Sequence, residues 1–466
     1  MEDNEIFESM PVPKAILKNA IPTITGMIVI LIYNIADTFF VGQTNDPVQV
    51  AAVSLATPVF LLFMATGNLI GIGGTSVISR ALGEKRRAYA SEVSAFCFHL
   101  SWVVGIVFAG LFLLEMPTIL SAIGVSTDTY EPTRQYLLYV APSAPFVILS
   151  VAFGNIVRAE GKAKEAMFGM MIGTVLNIIL DPIFIIGLGM GVAGAAIATL
   201  IGNIVSTGYF LYMFSRGRFS LSIALKDARI RGVIWPVLAI GIPAALNNVL
   251  MSTSVIVLNN VLTGYGDVAI AAMGISSKVM MIAVLLQIGL GVGIQPLLGY
   301  SYGAGNAERF HSILKVSMIY AVILGCTLTL VTYLGSDLIV RAFIDDAAVY
   351  EQGVRFVHIL LFSGPIVGVM FVYINTLQAM GAARQSLILS ISRQGFVFIP
   401  MLFVMNALFG LDGVVFAQPT ADLVSIIMAV FLVYPFLKKY LPKGNGTNNG
   451  SASGPGSMEL SQQPAE

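Results

Sequence analysis

Apolar stretches long enough to cross a bilayer as helices, about 20 residues each, recur at roughly 14–41, 48–79, 92–114, 133–157, 165–188, 191–214, 233–262, 267–298, 311–334, 350–378, 385–408 and 411–435. Short polar segments separate them. The pattern predicts an all-α integral membrane protein with twelve transmembrane helices, preceded by a segment at 1–13. A longer polar and basic linker falls at 215–232. From 436 to 466 the chain, with NGTNNGSASGPGS, is Gly/Ser-rich and without periodicity, so a disordered tail is expected there.

Sliding the chain against itself by 220 residues aligns Ala51 with Ala271, Gly71 with Gly291, Gly73 with Gly293, Gly83 with Gly303, Pro145 with Pro365, Asn155 with Asn375 and Gly161 with Gly381. The halves are repeats of six helices, 14–214 and 233–435. Because six is even, both cross the membrane in the same sense, so the lobes are related by a pseudo-two-fold axis along the membrane normal. Two such bundles enclose a cleft, and rocking them would expose it to alternate sides.

Charge adds an orientation. Most of the 25 basic residues, including Arg80, Lys85, Arg86, Arg87, Arg158, Lys162, Arg216, Arg229, Arg231 and Arg309, fall in loops on one side. The positive-inside rule makes that side, and both termini, cytoplasmic in a plasma membrane. The opposite loops are acidic, with Asp46, Asp128, Asp267, Asp345 and Asp412. Composition excludes a soluble globule: 56% hydrophobic residues and 11% charged, with mean hydropathy +0.85, against about 25% charged in ordinary domains. The acidic start MEDNEIFESM has no signal-peptide pattern, so the first helix is expected to insert directly. Cys97 and Cys326 lie in separate apolar segments and indicate neither a disulfide framework nor a metal site.

The richest chemistry lies in LNIILDPIF, 176–184. Asn177 and Asp181 are four apart, so a helix points both toward one spot. Pro182 lacks an amide proton and deprives the Ile178 carbonyl of its helical partner. A carboxylate, an amide and a freed carbonyl in hydrocarbon suit a small hard cation or a proton, and an intramembrane acid is a functional candidate. Met64 and Asn155 are candidates for a ligand-facing surface, Met because it adapts to varied shapes. Gly71, Gly73 and Gly74 read as close-packing positions rather than a nucleotide loop. Lys278, Arg393 and Asp422 sit near mid-depth in the second lobe. They are expected to pair, Lys278 with Asp422 being one arrangement, since an unpaired charge there costs at least about 2.5 kcal/mol.

Together ADTFFVG (36–42), ISRALGEK (78–85), LNIILDPIF, GVAGAAIAT (191–199), PLLGYSYGAGN (296–306) and LQAMGAAR (377–384) resemble the multidrug and toxic compound extrusion (MATE) transporters, especially their bacterial branch, over about residues 14–435. The resemblance implies export of cationic and amphipathic compounds, driven by inward sodium ions or protons. It implies a cation site at Asp37, Asn177, Asp181 and Thr199. The repeat offset places no acid opposite Asp37 or Asp181, so the site is not duplicated. Counting from the outer helix ends puts Asp37, Asp181 and Thr199 at a similar depth of roughly 8 to 12 Å, and Asn34, three residues before Asp37, shares its face. Bending at Pro22 is then a plausible coupling motion. Two nearby carboxylates with neutral oxygens favour a site able to take sodium, with proton competition.

The expected working unit is a monomer whose partners are small organic cations and membrane lipid, with no nucleic acid and no cofactor beyond the coupling ion. The nearest rival is a lipid-linked sugar flippase of the same superfamily, which would line the cleft with several Arg or Lys. A multi-pass membrane enzyme would need an acid, histidine or metal cluster at the membrane surface, and the short loops carry none. A channel would need a filter-like loop interrupting a helix.

Overall fold

The computed structural model describes residues 5–44, 46–344 and 346–440. Eleven helical runs among them are long and apolar enough to cross a membrane; the last, Ala383–Pro435, breaks at Gly410, giving twelve spans. These are α1 (Val12–Gly42), α2 (Pro47–Gly83), α3 (Arg87–Leu114), α4 (Thr127–Ala159), α5 (Ala163–Gly187), α6 (Gly191–Ser215), α7 (Ile234–Leu262), α8 (Asp267–Gly303), α9 (Ala307–Arg341), α10 (Ala347–Ala379), α11 (383–409) and α12 (411–440). Helix α12 runs past the expected end at 435, and the tail from 441 lies outside the described residues.

Many helices outrun their hydropathy windows because their ends are polar caps. Asp46 accepts from the Val48 amide at 2.9 Å, and Pro47 has no N–H that would need an acceptor there. Ser126 and Thr129 form a reciprocal capping box on α4. Asn306 accepts from the Arg309 amide at 2.9 Å, and Asp346 from Ala348 and Val349 at 3.0 and 2.9 Å. These residues start the helices; apolar content then decides how each one packs.

Helices α1–α6 form one lobe around a core that includes Phe63, Ile70, Leu149 and Phe153, and α7–α12 form the other. The central helices are α2 and α8, each packed within its own lobe and against the other. Residues 5–11 and the basic loops lie on one face, the basic face. Toward it the lobes touch through glycines: a Cβ on Gly73 would stand 2.2 Å from the Val237 carbonyl oxygen, and one on Gly241 would stand 2.1 Å from that of Leu69. Gly293 abuts Ala20 and Gly289 abuts Ile24, on either side of Pro22. Ser76 donates to the Gln378 carbonyl in the same region. Among the described residues, no glycine in the opposite halves of the helices makes such a lobe-to-lobe approach, so the cleft is closed toward the basic face.

Candidate functional site

Pro182 does more than release a carbonyl. The α-helical run of α5 ends at Asp181, and Pro182–Gly187 continues as a π-helical turn, with the Leu188 amide reaching back to the Ile183 carbonyl at 2.8 Å. A π-turn absorbs the missing bond without ending the span, and such turns often mark functional positions. Asp181 stands at the junction, fully buried.

The residues around it converge from three helices. With the Asn177 amide turned so that both ends are satisfied, its nitrogen donates to Asp181 Oδ2 (3.1 Å), while its oxygen accepts from the Thr199 amide (2.9 Å) and hydroxyl (3.2 Å). The opposite orientation would set the amide nitrogen against the Thr199 N–H, where it has no lone pair to offer. Asp181 Oδ1 is buried and has no hydrogen-bond partner among the described residues. Half-buried Asp37, on α1, lies close enough for its charge to act on Asp181, and both act on Tyr33 and Tyr136. Tyr33 and Thr199 line the same cavity. An unpartnered carboxylate oxygen beside a second carboxylate and neutral oxygens is a donor set suited to a hard monovalent cation or a proton.

This cluster opens onto a cavity of about 120 Å³ whose lining includes Asn34, Asn177, Thr199, Met64, Met170 and Asn203. Asn34 donates to the Ile30 carbonyl at 2.9 Å and faces the same space. Asn203 bonds the Thr199 carbonyl at 2.8 Å and receives Ser150 at 3.2 Å, extending the polar lining one turn toward the basic face. Asn155 is elsewhere. It accepts from buried Arg158 at 2.9 Å, contacts Asn68, and does not line the cavity.

Of the three charges expected to pair in the second lobe, Arg393 and Asp422 do so, and the Lys278–Asp422 arrangement is not formed. Arg393 Nε donates to Asp422 Oδ1 at 2.9 Å, Gln418 adds a bond at 3.1 Å, and the guanidinium lies over the Phe371 ring. Lys278 is exposed and makes no ion pair among the described residues. Depth read from the sequence was common to all three, but azimuth separates them: Ser276 and Val279 take the buried face of α8 and leave Lys278 outside it. The cluster also contains residues that sequence reading passed over. Tyr33 is one turn before Asp37 and Asn203 one turn after Thr199, so the four-residue spacing that singled out Asn177 would have found both.

Twelve spans in two lobes, with an unpartnered buried carboxylate oxygen at Asp181 in the first lobe and an arginine-paired carboxylate at Asp422 in the second among the described residues, define a two-lobe membrane transporter. The MatE family model matches residues 22–183 and again 243–404, once per lobe. "Multidrug export protein MepA" of Staphylococcus haemolyticus is 36% identical over 438 residues, 93% of this chain and 96% of that protein, and the Staphylococcus aureus protein of that name is 34% identical over 437. A solved structure described as the outward-facing conformation of a multidrug resistance MATE family transporter of the MOP superfamily superposes with a TM-score of 0.90 at 25% identity, covering 94% of this chain and 99% of that one. The chain belongs to the MATE family of transporters.

Proposed function

We propose that this protein is a secondary active antiporter that exports cationic and amphipathic drugs in exchange for sodium ions entering through the first-lobe site, with protons competing there. The basic face is then cytoplasmic, with both termini, and the structure represents the outward-open arm of an alternating-access cycle. The observation that carries the reading is Asp181 Oδ1, buried without a partner beside Asp37. Two carboxylates so placed cannot both stay bare. Thr199 and the backbone near Pro182 offer neutral oxygens, which a dehydrated sodium ion needs and a proton does not. Export of drugs is supported by the family and by the names of its staphylococcal relatives.

Drug and cation occupancy oppose one another on this reading, and the opposition is reciprocal by linkage. The flippase alternative loses ground because the mid-depth guanidinium of Arg393 is neutralised by Asp422 rather than offered to a pyrophosphate. Equilibrium binding of radioactive sodium to the purified protein tests the site. Wild type should bind sodium, and Asp181→Asn should reduce binding at least tenfold. Equal binding by both would remove Asp181 from it.

A further inference from the structure

Residues 5–10 precede the first span, yet Ile6, Phe7 and Met10 are each 5% exposed or less. Their burial comes from both lobes. On the second-lobe side Phe7 stacks on Tyr300 at 4.6 Å, Glu8 accepts from the Tyr300 hydroxyl at 2.5 Å, and Arg309 donates to the carbonyls of Ile6 and Met10 at 3.0 and 2.9 Å. On the first-lobe side, among the described residues, 5–10 meet the loop after α4 at Gly161 in van der Waals contact, where a Cβ would stand 2.8 Å from Ile6 and 3.1 Å from Phe7. The segment therefore lies across the junction between the lobes, on the face where the cleft is closed.

The two attachments differ in kind. Charge-assisted and stacked contacts hold it to the second lobe, and the apolar cluster continues from Ile6 and Phe7 through Ala15, Ile16 and Ala20 onto Leu290, Ile294 and Leu297 of α8. Contact with Gly161 is apolar and small. We propose that residues 5–10 are a strap that stabilises closure at the basic face, and that when the cleft opens there the strap stays with the second lobe and parts from the Gly161 loop. Residues 5–10 would thus travel with the lobe to which they do not belong by sequence. The proposal goes beyond the coupling reading and stands whichever ion drives transport.

The test uses the full chain with Cys97 and Cys326 replaced by Ser, reconstituted in liposomes, and a short bis-methanethiosulfonate linker that reductant removes. Linking Ile6→Cys to Gly161→Cys should lower efflux of a fluorescent organic cation at least tenfold, with recovery on reduction. Linking Phe7→Cys to Tyr300→Cys should leave efflux within about twofold of its reduced level. Efflux that continues with the first link in place, or stops only with the second, overturns the proposal. Because Gly161 has a positive φ of 78° and its variant is strained, a second measurement avoids that position. Arg309→Ala should raise the thiol reactivity of a Ser76→Cys reporter about tenfold by loosening closure, and unchanged reactivity would count against the strap.

Discussion

Gly83 and Gly303 face one another across the lobe interface in a reciprocal contact. A Cβ on Gly83 would lie 2.1 Å from the carbonyl oxygen of Tyr300, and one on Gly303 would lie 2.2 Å from that of Arg80. The repeat offset that relates the two glycines also relates Arg80 to Tyr300, so the contact is a local image of the pseudo-two-fold axis. Backbone packed this closely admits no side chain. Gly83→Ala should therefore push the lobes apart at the basic face, raising the alkylation rate of a Ser76→Cys reporter several-fold. An unchanged rate would mean the interface absorbs a methyl group without opening.

Removing one member of the Arg393–Asp422 pair leaves the other charge buried, since the two side chains are 9% and 2% exposed. Either Asp422→Leu or Arg393→Met alone should cost about 3–5 kcal/mol, and the double variant should recover most of that loss. Melting temperature in detergent reads this directly. Additive losses would contradict the pairing, and Lys278→Met, altering an exposed side chain, should change stability little.

Glu160, in the loop between α4 and α5, holds the linker between the lobes. Its Oε1 accepts from the Ser220 amide (2.8 Å), the Ser220 hydroxyl (2.5 Å) and the Leu221 amide (2.9 Å), while Oε2 is buried and without a partner among the described residues. Burial pushes the Glu160 carboxyl above the usual glutamate range, partly offset by the Ser220 bonds and Lys162. A proton on Oε2 would relieve the unpartnered oxygen and leave all three bonds to Oε1 in place. The anchored state thus binds protons more tightly than the released one, so anchorage is strongest in mild acid and weakens as pH rises from the ordinary glutamate range through the raised value. Hydrogen exchange at Ser220 and Leu221, corrected for intrinsic rates, should show protection falling with pH in wild type and flat in Glu160→Gln. Protection that rises with pH would reverse the assignment.

Helix number, the two repeats and the Asn177–Asp181 pair were legible in the sequence because each rests on periodicity: apolar length, a fixed offset, a four-residue spacing. Placement around a helix was less so. Lys278 and Arg393 share a depth, and only packing of α8, α11 and α12 shows which of them meets Asp422. Asn155 matched its repeat partner Asn375 but stands behind the cavity wall against Arg158, a contact that depends on how α4 is rotated. The strap contacts of residues 5–10 left no periodic trace, since a single turn has none.

Pro22 sits inside α1 between the Gly289 and Gly293 approaches of α8, so a bend there would be felt by both lobes. Pro22→Ala restores a backbone donor and stiffens the helix. Turnover in liposomes should fall several-fold while drug affinity stays within about twofold. Unchanged turnover would leave Pro22 a tolerated kink with no part in the cycle.

On the proposed coupling, Asp37 and Asp181 hold a sodium ion whose entry drives export. The most direct measurement of that coupling is efflux of a fluorescent organic cation from proteoliposomes at equal pH on both sides, with a sodium gradient imposed from roughly 1 to 100 mM to span ordinary secondary-transport affinities. The gradient should drive uphill efflux in wild type, Asp37→Asn and Asp181→Asn should both abolish it at matched insertion, and Thr199→Val should weaken sodium dependence more than drug affinity. Efflux that follows only a proton gradient, with no response to sodium across that range, would contradict sodium coupling and make the two aspartates a proton-sharing pair.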